Sequence, residues 1–165
     1  QYAMVKARII SGSESSRAYL ASLLKPFVFR KYHDYRVFEG LATLKGKIDS
    51  QAKSRGMRVN LKVGPGGIRE IEFFVQAFQI LKGGRNRQLQ TTEIFECFDA
   101  LLQHDIVDVD TVNQLRAAYC FLRMLENRIQ MFGDQQTHDL PSSNEQQTRI
   151  AFTMGYADWQ GIVDE

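Results

Sequence analysis

The sequence predicts an all-α fold, a helical bundle of about six to seven helices. Apolar residues recur with the helical period of about 3.6 residues along most of the chain, and no strand-hairpin pattern is present. The length of 165 residues favours a single domain, residues 1–165. The hydrophobic content of 44% and the charged content of 24% are typical of soluble globular proteins, and no apolar run is long enough to span a bilayer.

Small residues and prolines separate the predicted helices in the first part of the chain. Residues 1–10 have the pattern of a helix end, which Ser11-Gly12-Ser13 interrupts. A short helix with an apolar stripe is predicted over Glu14–Leu24, before a proline. We interpret the aromatic segment Phe27–Tyr35 as a turn that leads into a helix over about Asp34–Arg55, where a glycine is a plausible end.

The rest of the chain has the same organisation, with capping residues before the apolar stripes and glycines after them. Ser143, with Gln146 three residues later, resembles a capping box. The predicted helices run over Ile68–Lys82, from Thr91 or Thr92 to about His104, from Asp108 or Asp110 to about Met131, and from Ser143 to Met154, with a last fragment after Asp158.

The most informative segment is KVGPGGIREIEFFVQ, residues 62–76, in which a glycine-rich turn leads directly into a helix. Because glycine lacks a Cβ, such a turn lets the backbone approach another surface closely. The start of a helix also has N–H groups without partners inside the helix. We therefore expect this turn either to bind a phosphate or to form a tight structural corner. The spacing matches neither the dinucleotide fingerprint nor the Walker loop, so it favours the corner.

The helix that follows, Ile68–Lys82, is called the motif helix here, and its pattern predicts one apolar and one polar face. The apolar stripe comprises Ile68, Ile71, Phe74, Val75, Phe78 and Leu81. Phe74 and Phe78, one turn apart, are therefore predicted to be buried. The polar stripe comprises Arg69, Glu72, Gln76 and Gln79 and is predicted to lie opposite. Glu70 and Glu72 point in different directions on a helix and cannot bind one metal ion together.

The charged, histidine and cysteine residues give weaker signals. The net charge of +2 gives no electrostatic case for a nucleic-acid partner. Basic residues concentrate between Lys45 and Lys62, which fits an anionic partner, although a solvated surface is the commoner explanation. The three histidines lack metal-ligand spacing with either cysteine. Cys97 and Cys120 are interpreted as buried small hydrophobic residues in a reducing compartment.

Several segments, in this order along the chain, resemble the bacterial glutamine synthetase adenylyltransferase family. The strongest resemblance is KVGPGGIREIEFFVQAFQILKGGR at residues 62–85. The other segments are YAMVKARIISG at residues 2–12, FVFRKYHDY at 27–35, LRAAYCFLRMLENRIQ at 115–130 and DQQTHDLP at 134–141. The resemblance therefore covers nearly the whole chain.

The resemblance implies a part in regulating glutamine synthetase. Proteins of this family have two similar nucleotidyltransferase halves: one attaches AMP to a tyrosine of glutamine synthetase, and the other removes it by phosphorolysis and releases ADP. The phrase GGIREIEFFVQ looks more like the deadenylylating half. The family's catalytic carboxylates lie in a G-S…D-x-D motif that this sequence lacks. The chain thus looks like the helical portion that follows the catalytic fold, and we expect it to be inactive alone.

The resemblance also implies cofactors, partners and a location for the full-length enzyme. These are Mg²⁺ and ATP or ADP, glutamine synthetase and a nitrogen-signalling regulatory protein, and the cytoplasm; no nucleic acid or membrane partner is expected. The candidates for facing the nucleotide or phosphate are Lys62, Gly64, Gly66, Gly67, Arg69, Glu70 and Glu72. Lys62 and Arg69 would neutralise phosphate charge, and the glycines would allow close approach. No catalytic or metal-binding residue is expected here.

Two alternative functions remain open at this point. The helices could form a structural or interaction module that braces the catalytic fold or docks a protein partner. The chain could instead be the equivalent helical region of the uridylyltransferase that modifies the nitrogen-signalling protein, which has a comparable glycine-rich motif. FVFRKYHDY favours the adenylyltransferase.

Overall fold

The described residues are entirely helical apart from their connecting segments. The structure, a computed structural model, describes residues 1–31, 39–40, 43, 46, 50, 60–132 and 134–165. These residues form six α-helices and two short 3-10 helices, with no strand among them, so the all-α prediction is confirmed for this part of the chain. Within it, no helix has the length and apolar character that crossing a membrane requires.

The α-helices are numbered here in chain order. They are α1 (Glu14–Val28), α2 (Ile68–Lys82), α3 (Ile94–Gln103), α4 (Val109–Met131), α5 (Asn144–Met154) and α6 (Trp159–Val163). The 3-10 helices are Tyr2–Met4 and Arg87–Leu89. The motif helix is α2, with the predicted bounds. The helix predicted over Asp34–Arg55 lies almost entirely outside the described residues, although its few described positions are helical.

Local capping fixes several helix starts, as the sequence predicts. The side chain of Ser143 accepts a hydrogen bond from the Gln146 N–H (3.3 Å), and that of Asp108 accepts one from the Thr111 N–H (2.8 Å). Because the hydrogen bonds from Thr111 favour the charged carboxylate, they hold the pKa of Asp108 below its usual value. The Asp158 side chain caps α6 in the same way. These side chains satisfy N–H groups that the helix itself cannot.

The N-terminal segment differs from the prediction. Residues 1–10 contain only the 3-10 helix Tyr2–Met4 and are otherwise non-helical, so the predicted helix end is wrong. Helix α1 extends beyond Leu24 to Val28 and contains Pro26. The apolar residues predicted as its stripe are exposed or half-buried, and only Val28 is fully buried. The alanine and leucine residues of α1 therefore have helical spacing, but their side chains are not buried.

The chain divides into two compact units. The first comprises residues 1–46 and 72–116, and the second comprises residues 47–71 and 117–165. Each has a buried apolar cluster among its described residues. The cluster of the first unit contains Val5, Val28 and Ile80, and that of the second contains Leu61, Leu125, Ile129, Ile150, Ala151 and Ile162. The single domain predicted for residues 1–165 stays a prediction.

The motif helix is rotated relative to the predicted orientation. Phe74 and Phe78 are only half-buried, so the prediction that both are buried is wrong. Gln76 and Gln79, predicted on an outer polar face, are 7% and 1% exposed. The Gln79 side chain donates hydrogen bonds to the carbonyl oxygens of Leu89 (2.7 Å) and Thr91 (2.8 Å). The segment after α2 thus supplies hydrogen-bond acceptors for Gln79, and these acceptors allow this polar side chain to be buried.

The two cysteines occupy different environments. Cys97 is buried in α3, and this burial raises the pKa of its thiol to about 12. Cys120 is exposed on α4, so the expectation that both cysteines are buried is wrong for Cys120. Both thiols are free.

Replacing Phe98 by alanine is expected to destabilise the chain much more than replacing Phe95. Phe98 is fully buried, whereas Phe95 on the same helix is 41% exposed. The Arg116 guanidinium lies over both rings, 5.6 Å from the Phe98 centroid and 5.8 Å from that of Phe95, so each variant loses a similar cation contact. Removal of a buried phenyl ring costs about 3–5 kcal/mol. Denaturant unfolding measures both variants, and equal losses of stability would show that Phe98 is not a core residue.

Gln79→Leu is expected to lower the free energy of unfolding by about 1–3 kcal/mol, because the Leu89 and Thr91 carbonyl groups lose their shared donor. Gln114→Leu is the matched control, since Gln114 is exposed on α4. The control should change the free energy by no more than about 0.5 kcal/mol. A Gln79→Leu protein as stable as the control would mean that the buried amide contributes nothing.

Candidate functional site: the glycine turn and the start of the motif helix

The glycine turn is closed by its own backbone. The Gly64 N–H donates to the Asn60 carbonyl (2.8 Å), and the Gly67 N–H donates to the Gly64 carbonyl (3.0 Å). The Gly66 N–H donates to the carboxylate of Glu70 (2.8 Å). Pro65 has no N–H to donate. The turn therefore presents no unpaired backbone donor to a ligand.

The first N–H groups of the motif helix are also paired. The Ile68 N–H donates to the Leu61 carbonyl and the Arg69 N–H to the Lys62 carbonyl, both at 2.9 Å. The Glu70 N–H donates to the Gly67 carbonyl at 2.9 Å. The premise that this helix start leaves N–H groups free for a phosphate is therefore wrong. Any anion held here would have to be held by side chains.

Two glycines make this corner possible for different reasons. Gly66 adopts φ of +72°, a left-handed conformation that most side chains disfavour. A Cβ on Gly67 would lie 2.6 Å from the Leu61 carbonyl oxygen and 2.9 Å from that of Gly64, so the chain passes itself too closely for a side chain there. These contacts are with protein backbone and show a tight corner.

Residues from the distant loop after α4 hold the start of the turn. Asn60 pairs with Asp139 in an isolated antiparallel bridge, and its side-chain amide donates to the Asp139 carboxylate (2.6 Å). The Leu61 N–H donates to the His138 carbonyl (2.8 Å). The Asn60 side-chain oxygen also accepts hydrogen bonds from the N–H groups of Lys62 (3.0 Å) and Val63 (3.1 Å). The turn is therefore anchored to the segment that carries DQQTHDLP.

A buried carboxylate on α4 holds this anchoring loop in turn. Glu126 is 3% exposed. One of its oxygens lies 2.7 Å from an Arg123 guanidinium nitrogen, and the other lies 2.8 Å from His138 Nδ1. Since a carboxylate only accepts hydrogen bonds, the His138 ring donates. The sequence reasoning missed this cluster because Glu126 and His138 share no motif spacing.

The charged candidates near the turn differ in exposure and partners. The Arg69 side chain is exposed, and that of Lys62 is half-buried. Within the described part of the chain, neither side chain makes a hydrogen bond or ion pair. Glu70 is exposed and caps the Gly66 N–H, while Glu72 is half-buried and lies 3.6 Å from Lys6 Nζ. The other basic residues of the 45–62 segment lie outside the described residues.

A metal centre does not fit the residues that the structure describes. No group of three or more histidine, cysteine, aspartate or glutamate side chains among them is arranged to hold an ion. The chemistry that the turn offers is therefore electrostatic: two cationic side chains, Lys62 and Arg69, on a closed backbone corner.

Comparison with known proteins gives a matching family model and relatives that carry a different name. A family model described as GlnD PII-uridylyltransferase matches residues 42–164. A protein of Nitrosococcus oceani named bifunctional glutamine synthetase adenylyltransferase/adenylyl-removing enzyme is 42% identical over 163 residues, 99% of this chain. A protein of Pseudomonas putida with the same name is 41% identical over 165 residues, 100% of this chain. The chain spans 17% of the length of each relative.

A family model and relatives with different printed names can match the same chain, because one fold can carry different functions. The identities of 41–42% extend over essentially the whole chain and confirm the resemblance to glutamine synthetase adenylyltransferases. The chain belongs to the family described by the GlnD PII-uridylyltransferase model, and within it resembles the bifunctional glutamine synthetase adenylyltransferase/adenylyl-removing enzymes.

Proposed function

We propose that this chain is the helical part of a glutamine synthetase adenylyltransferase/adenylyl-removing enzyme and belongs to its deadenylylating half. The observation that carries the proposal is the identity of 42% over 99% of the chain with a relative of that name. The phrase GGIREIEFFVQ supports the assignment to the deadenylylating half. In that reaction, inorganic phosphate displaces the tyrosine oxygen from the adenylyl phosphorus, so that ADP and the free tyrosine hydroxyl are formed.

The parent enzyme in this proposal is a cytoplasmic nucleotidyltransferase that uses Mg²⁺ with ATP or ADP. Glutamine synthetase is its substrate and a nitrogen-signalling protein regulates it. The catalytic carboxylates belong to another part of that enzyme, so the chain alone has no turnover. Its helices instead present charge to the reacting groups.

Arg69 is the strongest candidate for that task. Its guanidinium is exposed at the first turn of the motif helix, and the fully hydrogen-bonded corner before it fixes its backbone. A guanidinium can donate two parallel hydrogen bonds to phosphate oxygens. Lys62 adds a second positive charge from the same corner. The shape of the corner then depends on Gly64, Gly66 and Gly67. Glu70 contributes by accepting a hydrogen bond from the corner.

In the longer enzyme, Arg69→Ala is expected to slow removal of AMP about a hundredfold, because transition-state charge in a water-poor site loses a preorganised donor. Turnover with phosphate and adenylylated glutamine synthetase measures this, with the melting temperature recorded in parallel. Arg17→Ala is the matched control, because Arg17 is exposed on α1, remote in sequence from the turn. Unchanged turnover in Arg69→Ala would remove the phosphate role.

A structural role of the turn is the second candidate function, and the paired backbone of the corner favours it. In this version the helices brace the catalytic fold, and Arg69 contributes no more than a surface charge. Stability and activity separate the two candidates. A corner contributes to stability alone, whereas a phosphate contact contributes to the rate.

Gly67→Ala is expected to destabilise the chain by about 1–3 kcal/mol, because the new Cβ meets two backbone oxygen atoms that cannot move independently. Gly66→Asn is the matched control at the neighbouring position. Nothing lies within 4 Å of a Cβ at Gly66, and asparagine tolerates its left-handed backbone. Thermal unfolding followed by circular dichroism compares them. A Gly67→Ala protein as stable as Gly66→Asn would show that the corner is not tightly closed.

The alternative hypothesis, that the chain belongs to a uridylyltransferase, is tested by asking which protein the longer enzyme modifies. The description of the matching family model favours it. The longer protein should transfer or remove AMP on glutamine synthetase and leave the nitrogen-signalling protein unmodified. Transfer of UMP to that signalling protein instead would assign the chain to the other enzyme.

A further inference from the structure

An open groove in the second unit is lined by side chains of two helices, α4 and α5. Its volume is about 310 Å³. The end of α4 contributes Arg128, Met131 and the following Phe132, and α5 contributes Arg149, Ile150 and Phe152. Apolar side chains therefore form most of the described lining, and each side of the groove carries one arginine.

The apolar side chains at the mouth of this groove are unusually open to solvent. Phe152 is 82% exposed and Met131 is 71% exposed. Met124, two turns before Met131 on the same face of α4, is also exposed and extends the apolar surface along the helix. Single exposed apolar residues are common on monomeric proteins, but a group of them that shares one groove indicates an interaction surface.

Phe152 is not needed for the core or for the end of α5. The buried cluster of the second unit contains its neighbours Ile150 and Ala151, which lie on the inner face of the helix. The helix end is closed by backbone hydrogen bonds, from the Tyr156 N–H to the Ala151 carbonyl (3.0 Å) and from the Gly155 N–H to the Phe152 carbonyl (3.1 Å). The Phe152 ring thus remains available for a contact outside this chain.

Arg128 gives the groove a charge without a counterion. Its Nε is buried and has no hydrogen-bond partner, and its Nη1 makes one contact of 3.8 Å with the sulfur of Met131, a weak acceptor. Within the described part of the chain, no carboxylate lies at ion-pair distance from it. A guanidinium has several N–H donors, so most of those of Arg128 can still meet an acceptor from outside.

The second arginine is already paired and has a different role. Arg149 forms an ion pair of 2.7 Å with Glu145, and its guanidinium lies over the Phe132 ring at 5.7 Å from the centroid. It therefore forms part of the wall, and its charge is balanced. The described lining contains no acidic residue, so the net positive charge that the groove offers comes from Arg128.

We propose that this groove docks an amphipathic helix of a partner protein, with large apolar side chains on the inner stripe and a carboxylate that pairs with Arg128. A groove lined by two helices is a common seat for such a helix, whose apolar anchors recur at helical spacing. Met131 and Phe152 contact these anchors. Arg128 selects an acidic partner, because a basic one would place like charges together. The surface uses no residue of the glycine turn and is independent of the function proposed above.

Fluorescence anisotropy with synthetic peptides tests the chemistry of the partner. The probe is an amphipathic helix of about 15 residues, with a leucine stripe flanked by glutamates. A second peptide has lysine in place of each glutamate, and a third has the composition of the first with the leucines spread around the helix. We expect saturable binding of the glutamate peptide to the chain, and at least about tenfold weaker binding of each of the other two.

Two variants, each with a matched control, locate the binding. Arg128→Glu should reverse the preference, so that the lysine peptide binds more tightly than the glutamate peptide. Arg17→Glu changes the net charge equally on exposed α1 and should leave the preference as it was. Phe152→Ala should weaken the glutamate peptide about tenfold, because an apolar anchor loses its contact. Tyr19→Ala removes another exposed aromatic ring, from α1, and should have no effect. Melting temperatures check that each variant folds.

Equal affinities for the glutamate and lysine peptides, or an unchanged preference in Arg128→Glu, would overturn the proposal. So would a Phe152→Ala protein that binds as tightly as Tyr19→Ala. Phe152→Ala keeps the test decisive should Arg128→Glu fold poorly, because the Phe152 side chain is largely exposed and its removal leaves the core intact.

Two further measurements separate a partner protein from other occupants of the groove. The glutamate peptide should also bind the longer enzyme. Failure to bind there would show that another part of that enzyme covers the groove. Sedimentation of the chain alone should show a monomer at the concentrations used. Self-association that Phe152→Ala abolishes would assign the groove to a second copy, and either result would overturn the proposal.

Discussion

The second unit depends on one buried carboxylate. Glu126 accepts hydrogen bonds from Arg123 and His138, and the backbone beside His138 then holds Leu61, from which the glycine turn is built. A buried carboxylate is stable only while its hydrogen-bond donors remain, so loss of Arg123 or His138 leaves Glu126 without one of its two partners. The orientation of Arg69 is therefore linked, through hydrogen bonds, to a residue more than fifty positions away in the sequence.

The sequence predicted those features that neighbouring residues decide. The bounds of the motif helix follow from glycines on both sides, and the caps Asp108, Ser143 and Asp158 act within three residues. The rotation of the motif helix was not predictable in this way, because Gln79 finds its acceptors ten and twelve residues away. Hydrophobic periodicity treats a glutamine as an outward-facing residue and cannot register such partners.

The candidate site shows the same division between local and distant information. The glycine turn and its cations can be read from consecutive residues. The anchoring of the turn could not be read in this way, because the acceptors for Leu61 and Asn60 lie after α4. The segment DQQTHDLP was visible only as part of a family resemblance. Its physical role, anchoring the turn through His138 and Asp139, becomes evident once hydrogen bonds are assigned.

The contrast between the two cysteines has a practical consequence. The thiolate is the form that reacts with alkylating reagents, and a thiol with a pKa of about 12 is almost wholly protonated at neutral pH. Cys97 is also shielded, whereas Cys120 is open to solvent. A fluorophore maleimide should therefore label the folded chain at Cys120 alone. The rate at which Cys97 is labelled would then measure how often local unfolding around α3 exposes this thiol.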